Sequence, residues 1–392
     1  MKGKNIYDRN VVFISVDPWK EERWARKQML AWLLSYRFKN VVYYVAPGSS
    51  ERSLPHLRRI KSNLYLVDVP CIPKFLQGSA LSKLGVLIPS SVLCFLLLLL
   101  GSKEPIFVTY HSTNFAFTKK LASIFGKSLI CYDLTDDWSE FQIPEGAVKN
   151  KIKQAEEKAV KEADVVFAVS KKLYEAARKI NPKTYYLPNA TDVDSFRRTT
   201  TDIPVSPEIM RIPGPRIGYI GKIALWKTDF DLLEYLARTR PDWSLVFLGP
   251  VVREANLPAD KLSEHTNVHF LGPRNYNSLP EYIKGFDVCI LPHVVDPLTN
   301  SMDPIKLYDY LATGKQIVST PVAEAIKFKG VIRIAYSNDE FVKQIGEAIQ
   351  HSRDYNPAGQ LEIAGQHSWE SRAAELARII ESNSEAITTA QT

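Results

Sequence analysis

None of the four cysteines (Cys71, Cys94, Cys131, Cys289) forms a C-x-x-C pair or stands at a metal-ligand spacing. That argues against a zinc ribbon and a disulfide framework, and reads as reduced, buried thiols in a cytosolic protein. Nor is there an uninterrupted apolar stretch of the ~20 residues that a spanning helix requires. Residues 92–100 are unbroken in apolarity, but Gly85, Pro89, Ser90 and Ser91 interrupt the approach to them, so 84–100 is expected to be a buried helix. The first residues, Met-Lys-Gly-Lys-Asn-Ile-Tyr, lack an apolar leader core and a small-residue cleavage site, which argues against secretion. No aromatic-basic RNA motif, helix-turn-helix or zinc-finger pattern is present, so nucleic acid is not the expected partner. Short-period repeats are missing too.

What is there is an ordinary globular composition in a chain of 392 residues, long enough for two domains with a core each. Charge is divided unevenly. Residues 1–200 carry 31 Lys/Arg against 19 Asp/Glu, a net of +12, and the rest 19 against 24, a net of −5. Such asymmetry points to an anionic partner for the N-terminal half, either a membrane surface or a phosphate-bearing acceptor. Arg23/Arg26/Lys27 and Arg58/Arg59/Lys61 are the basic clusters expected to meet it.

Short β-rich runs alternate with helical stretches. Strands are predicted at 11–16, 41–46, 64–69, 106–110, 128–133, 165–170 and 184–187, with helices between them at 19–37, 84–100, 115–125, 149–163 and 171–180. A Thr-, Asp- and Pro-rich segment breaks the rhythm. Strands then resume at 216–220, 244–248, 268–271, 288–291, 316–319 and 331–334, with helices at 230–239, 279–285, 304–313 and 339–351. Alternation of this kind makes parallel sheets covered on both faces, an α/β class chain of two Rossmann-like domains. The expected division is 1–195, a linker at 196–214, a second domain at 215–360, and a C-terminal helix in 361–392 that can cross back to the first. Ligands of such sheets sit at the carboxyl ends of the strands, so the site is expected in a cleft where the two domains face each other.

Residues 301–320 are the most informative stretch. Asp303 can cap a helix, Pro304 suits its first turn, and Gly314 can end it before the next strand. The start of that helix presents unpaired N–H groups and a positive dipole end, which suits phosphate, and Lys306 adds a full charge. Asp309, three residues on, shares the face of Lys306 and can accept from hydroxyls. A cation for a diphosphate beside a carboxylate for a ribose is what a nucleoside-diphosphate sugar requires.

The same stretch resembles the C-terminal-domain signature of GT-B glycosyltransferases, with Asp309 in the place of the Glu that falls five residues before a Gly, here Gly314. Tyr-Asp-Leu-Thr-Asp-Asp-Trp (132–138), Glu157 through Ser170, Asn189-Ala-Thr-Asp192, Tyr219-Ile-Gly221 and Leu271-Gly-Pro273 are similar, in order, to pieces of bacterial polysaccharide glycosyltransferases. The nearest relatives by this resemblance are glycosyltransferase family four and the GT-B glucuronosyltransferases of exopolysaccharide synthesis. The resemblance implies a GT-B fold and a set of site residues. Asp136, beside Asp137, would be the general base of an inverting transfer, and His111 would lie near the donor. Gly221 and Lys222, with Lys227 near them, would approach the diphosphate, Pro273 and Arg274 the uracil, and His293 the same pocket. Family four carries two Glu eight residues apart; here they are Ser301 and Asp309, and losing the first leaves inversion or retention open. Two Asp-x-Asp strings, Asp192-Val-Asp194 and Asp229-Phe-Asp231, sit in a linker and at a helix start, so no metal or other cofactor is expected.

The expected activity is transfer of a sugar from a nucleoside diphosphate, a UDP-sugar above all, to a lipid-linked or polysaccharide acceptor. The expected location is the cytoplasmic face of the cell membrane, with peripheral attachment. A UDP-sugar epimerase of the same fold and a non-catalytic sugar-binding subunit are the alternatives.

Overall fold

The computed structural model describes residues 5–20, 24–46, 56–68, 84–141, 146–252 and 258–389. The chain divides into two compact units. Unit 1 takes Met1–Ser139, Ile143–Pro188 and Glu370–Thr392; unit 2 takes Glu140–Gln142 and Asn189–Trp369.

Among the described residues unit 1 has eight strands: β1 (Asn10–Ser15), β2 (Asn40–Val45), β3 (His56–Lys61), β4 (Leu64–Asp68), β5 (Ile106–Thr109), β6 (Leu129–Leu134), β7 (Val165–Ala168) and β8 (Thr184–Tyr186). They lie in the order β3-β4-β2-β1-β5-β6-β7-β8. The Val-Val-Phe-Ile run of β1 is fully buried, as the centre of a sheet covered on both faces demands, and Val12 pairs with Val42 on one side and Phe107 on the other. Among the described residues only β3 is antiparallel, against β4. Its sequence, His-Leu-Arg-Arg-Ile-Lys, shows little of the alternation of a half-buried strand, and the sequence reading passed over it. An edge strand studded with exposed Arg58 and Arg59 is protected from pairing with another chain.

Three expectations about charge and apolarity change here. Arg26 does not reach solvent: its Nε and Nη2 each donate to the Asp133 carboxylate at 2.9 Å, and its Nη1 donates to the Pro188 carbonyl. Lys27 is buried against Asp17, so neither Arg26 nor Lys27 is part of an exposed basic surface; Arg23 lies outside the described residues. The helix Leu84–Leu99 packs Leu93, Leu96 and Leu97 onto the sheet, but Phe95, Leu98 and Leu99 stand exposed, so it is buried on one face only.

Unit 2 has six parallel strands: β9 (Arg216–Ile220), β10 (Ser244–Leu248), β11 (Val268–Gly272), β12 (Val288–Leu291), β13 (Ile317–Ser319) and β14 (Arg333–Ile334). Their order is β11-β10-β9-β12-β13-β14, so the winding reverses between β9 and β12. Ile217, Leu245, Phe247, Val288 and Ile290 of the sheet bury against Leu232, Leu233 and Leu236 of the helix Phe230–Thr239 and Phe341 and Ile345 of the helix Asn338–Gln350.

The segment expected to be a linker, 196–214, is ordered structure within unit 2. Asp192 accepts the Ser195 N–H to open the helix Val193–Arg197, Pro207 starts the helix Pro207–Met210, and Thr199 Oγ1 donates to the Thr313 carbonyl at 2.9 Å. Thr199 and Pro207 thus close a turn and start a helix rather than fill a flexible connection. The chain passes from one unit to the other between Pro188 and Asn189. The final helix, Trp369–Thr389, belongs to unit 1 from Glu370 onward, where Tyr7 donates to Glu381 at 3.2 Å and Asn383 to the Tyr185 hydroxyl at 3.0 Å.

Candidate functional site

In a doubly wound sheet the ligand crevice opens at the carboxyl ends of the strands where the winding reverses. In unit 2 that point lies between β9, which leads into Gly221, and β12, which leads into His293. The helix Ile305–Thr313 brings Lys306 to the same place. Its Nζ donates to the Tyr219 hydroxyl at 2.9 Å, lies 3.5 Å from His293 Nε2 and stacks over the Tyr219 ring. Tyr219 in turn donates to the Lys222 carbonyl at 3.0 Å. Burial lowers the Lys306 ammonium to about 7, with Asp309 pulling the other way. Asp309 is buried and raised by that burial to about 8, and its Oδ1 accepts from Thr191 Oγ1 at 2.7 Å. A lysine and a carboxylate are thus both pushed toward their neutral forms by burial.

Gly221 is required where it stands. At φ +114° a side chain would be strained, and a Cβ would meet Lys306 Cε at 2.9 Å. Behind it Gly249, at φ +147°, leaves room for the Gly221 carbonyl, which a Cβ would meet at 2.1 Å. The backbone can therefore come right up against the lysine. His293 is sealed from solvent; burial, then Lys306, holds its imidazole well below the usual range, so it is neutral, and its Nδ1 has no protein hydrogen-bond partner.

Other residues sit differently from expectation. Asp303 does not cap the helix. Pro304 is the N-cap residue, and Asp303 accepts the Asn189 N–H at 2.6 Å and the Tyr308 hydroxyl at 2.9 Å, while Asn189 Nδ2 donates to the Asp303 carbonyl at 2.7 Å. It is a buried clasp for the 189–192 segment, with burial raising it to about 7. Ser301 is sealed and donates to the Leu298 carbonyl at 2.6 Å, which makes it a turn-forming residue rather than one open to a sugar. Arg274 donates to Glu208 (2.6 Å), to the Tyr282 hydroxyl (2.9 Å) and to the carbonyl of Pro273 (3.0 Å), so its guanidinium is held in place beside Pro273. Asp229 accepts the Leu232 N–H at 2.9 Å and is a helix cap.

Unit 1 carries its own polar group at the carboxyl ends of β5 and β6. His111 caps the short turn Ser112–Asn114, its Nδ1 accepting the Thr113 N–H at 3.2 Å, and its ring packs 4.4 Å from Trp138. Burial, then Lys27, lowers its pKa. Asp137 is held by Ser139, from the backbone at 3.2 Å and the hydroxyl at 2.7 Å, whereas Asp136 accepts from Thr135 at 3.2 Å. The sequence reading missed Glu156, which lies under this loop from the helix Ala147–Glu162. Its Oε2 is buried and unpaired, and burial together with Asp137 raises it to about 8. It also missed Thr191 on Asp309 and Tyr219 on Lys306. Their hydroxyls carry no signal until the fold brings them in.

Residues 214–351, about a third of the chain, match the family model of glycosyl transferases group 1. Across 96% of its length the chain superimposes on the whole of a sucrose-phosphate synthase from Thermosynechococcus elongatus, with a TM-score of 0.71 and 14% identity. This is the GT-B glycosyltransferase fold. Anabaena Alr3699/HepE, solved with UDP, has it as well, at a TM-score of 0.68 and 14% identity over 95% of this chain and 100% of that one. In sequence, 224 residues are 26% identical to TuaH of Bacillus subtilis (strain 168), a protein named for a glycosyltransferase role in teichuronic acid biosynthesis. The match takes in 53% of this chain and 54% of that relative, so the chain spans about half the length of the curated relative it matches.

Proposed function

We propose that this GT-B chain is a glycosyltransferase that moves a sugar from UDP-sugar to a lipid-linked or polysaccharide acceptor in cell-surface glycan synthesis. The observation that carries the reading is the convergence of Lys306, the Gly221 loop and neutral His293 at the reversal point of unit 2. A lysine held half-neutral beside a glycine-only backbone accommodates a diphosphate, and in its protonated form offsets the charge that builds on UDP as the sugar leaves. Lysine charge then does what a divalent ion does in metal-dependent transferases. Asp309 is the hydroxyl acceptor for the ribose. The UDP in the HepE structure and the teichuronic acid role of TuaH support donor and acceptor class.

In unit 1 Asp136, in the stretch 132–138 that resembles the acceptor-side loop of these transferases, is the base that takes the acceptor hydroxyl's proton. The acceptor class and the +12 of residues 1–200 together favour work at an anionic membrane surface. The test is UDP release from UDP-sugars, with and without a lipid extract and with chelator present. Release that depends on the extract and survives chelation supports the reading. Sugar interconversion without any acceptor points to an epimerase instead.

A further inference from the structure

We propose that unit 1 docks on anionic lipid bilayers through the end of its sheet where the strands begin, inserting Phe95, Leu98 and Leu99 among the lipids while Lys39, Lys103 and Lys127 meet the headgroups.

The apolar part is a helix face left exposed. Phe95, Leu98 and Leu99 are 63%, 62% and 68% exposed and follow i, i+3, i+4 spacing, so they stand together on the last turn of Leu84–Leu99. The helix Phe115–Ile124 packs in the same core cluster through Leu121 and Ala122, and its final residue, Ile124, is exposed to the same degree. These two helices run into β5 and β6, which are adjacent and parallel, so both end at one edge of the sheet. Single exposed apolar residues need no explanation; a cluster at two neighbouring helix ends does.

The charge around that edge is basic. The turns that enter β1, β2, β5 and β6 contain Arg9, Lys39, Lys103 and Lys127, against Asp8 and Glu104. The end of the helix is near them: a Cβ on Gly101 would lie 3.9 Å from Lys39 Nζ, and Arg9 ties the turns together by donating to the carbonyls of Glu104 and Lys127. Apolar side chains ringed by lysine are what an anionic bilayer accepts, since the apolar tips enter the acyl boundary and the ammonium groups stay at headgroup level. Protein interfaces, by contrast, are depleted in lysine. No helix among the described residues is long and apolar enough to cross a membrane, so this attachment is peripheral. This edge is opposite the carboxyl ends of β5 and β6 that lead to His111 and Asp136, so it holds the chain at the bilayer without being the acceptor site itself, and the inference stands apart from the donor reading.

The experiment is co-sedimentation of the full chain with vesicles of phosphatidylglycerol and phosphatidylcholine, and with vesicles of phosphatidylcholine alone. The wild type should partition at least about tenfold better into the anionic vesicles. The triple variant Phe95→Ser, Leu98→Ser, Leu99→Ser and the triple variant Lys39→Glu, Lys103→Glu, Lys127→Glu should each lose about tenfold or more of that partitioning. Both should keep the wild-type unfolding midpoint and UDP affinity, which are read without vesicles. An environment-sensitive dye on a Leu98→Cys variant should shift to the blue on anionic vesicles. Wild-type partitioning by the serine variant, no preference for anionic lipid, or loss of a dimer with vesicle binding unchanged would each overturn the proposal; the last would assign the face to a second copy of the chain. Failure of UDP binding with vesicle docking intact would count against the donor reading alone.

Discussion

The Lys306 ammonium lies 2.9 Å from the hydroxyl of Tyr219, a residue on the strand that ends at Gly221, and 3.5 Å from a histidine that is neutral. Through Tyr219, which donates to the Lys222 carbonyl, Lys306 is joined to the loop that follows β9 in unit 2.

Proton uptake should accompany UDP binding. Burial lowers Lys306 to about 7, so at pH 8 much of it is neutral in the unliganded protein, and a diphosphate must recharge it. Asp309 and His293 face it, and Asp309 loses its proton in the same range, which favours the charged lysine and makes the uptake less than one proton. Calorimetry at pH 8 in buffers of different ionisation enthalpy should show that uptake, and at pH 6 it should vanish. Affinity should weaken as pH rises through 7.

Gly221→Ala should disturb the site without reaching a ligand atom. The new methyl would press on Lys306 Cε from a backbone conformation that costs a non-glycine residue about 1–3 kcal/mol. Chemical denaturation should show a loss of that order, and UDP affinity should fall with it. An alanine variant with wild-type stability would mean that the loop relaxes away from the lysine.

Asp136→Asn should leave UDP affinity near normal and cut turnover by roughly 10²–10⁴, the contribution of a positioned general base. Asp137→Asn should act on stability instead, because its oxygen anchors the Ser139 backbone and hydroxyl. A reversed pattern in steady-state rates would exchange the two roles, and product configuration read by NMR would settle inversion or retention independently.

Glu156 makes unit 1 less stable as pH rises. Its folded pKa, raised to about 8 by burial first and then by Asp137, stands above the ordinary value of 4.5. Between those limits the folded form holds a proton that the unfolded form has released. Stability therefore falls with increasing pH across that window, by at most about 1.4 kcal/mol per pH unit, and levels off above 8. Glu156→Gln should flatten the dependence in denaturation curves collected from pH 5 to 8. An unchanged slope would remove Glu156 as its source.

Much of this was legible in the sequence where local pattern and tertiary role coincide. Central strands such as β1 and β9 are apolar runs because both faces are covered, and the helix bearing Lys306 and Asp309 announces itself through Pro304 and Gly314. Illegible parts depend on partners far along the chain. Asp303 has the spacing of a cap, yet the backbone of Asn189, 114 residues earlier in the chain, claims it first. Nothing near Arg274 in the sequence says that Glu208, 66 residues before it, stands 2.6 Å from its guanidinium. Residues 196–214 look like a linker because caps and helix starts use the same Thr, Asp and Pro that linkers do. Glu156 looked like one more solvated helix charge beside Glu157, and nothing local says that its carboxyl turns under the loop of Asp136.

The most direct test of the donor site is calorimetric titration of UDP into the wild type and Lys306→Ala, with chelator present, near pH 6.5. The account expects wild-type binding without metal and a loss of about 1.5–3 kcal/mol in the alanine variant, the range of a charge-assisted hydrogen bond, with partial recovery in Lys306→Arg. Equal UDP affinity in wild type and Lys306→Ala would contradict it.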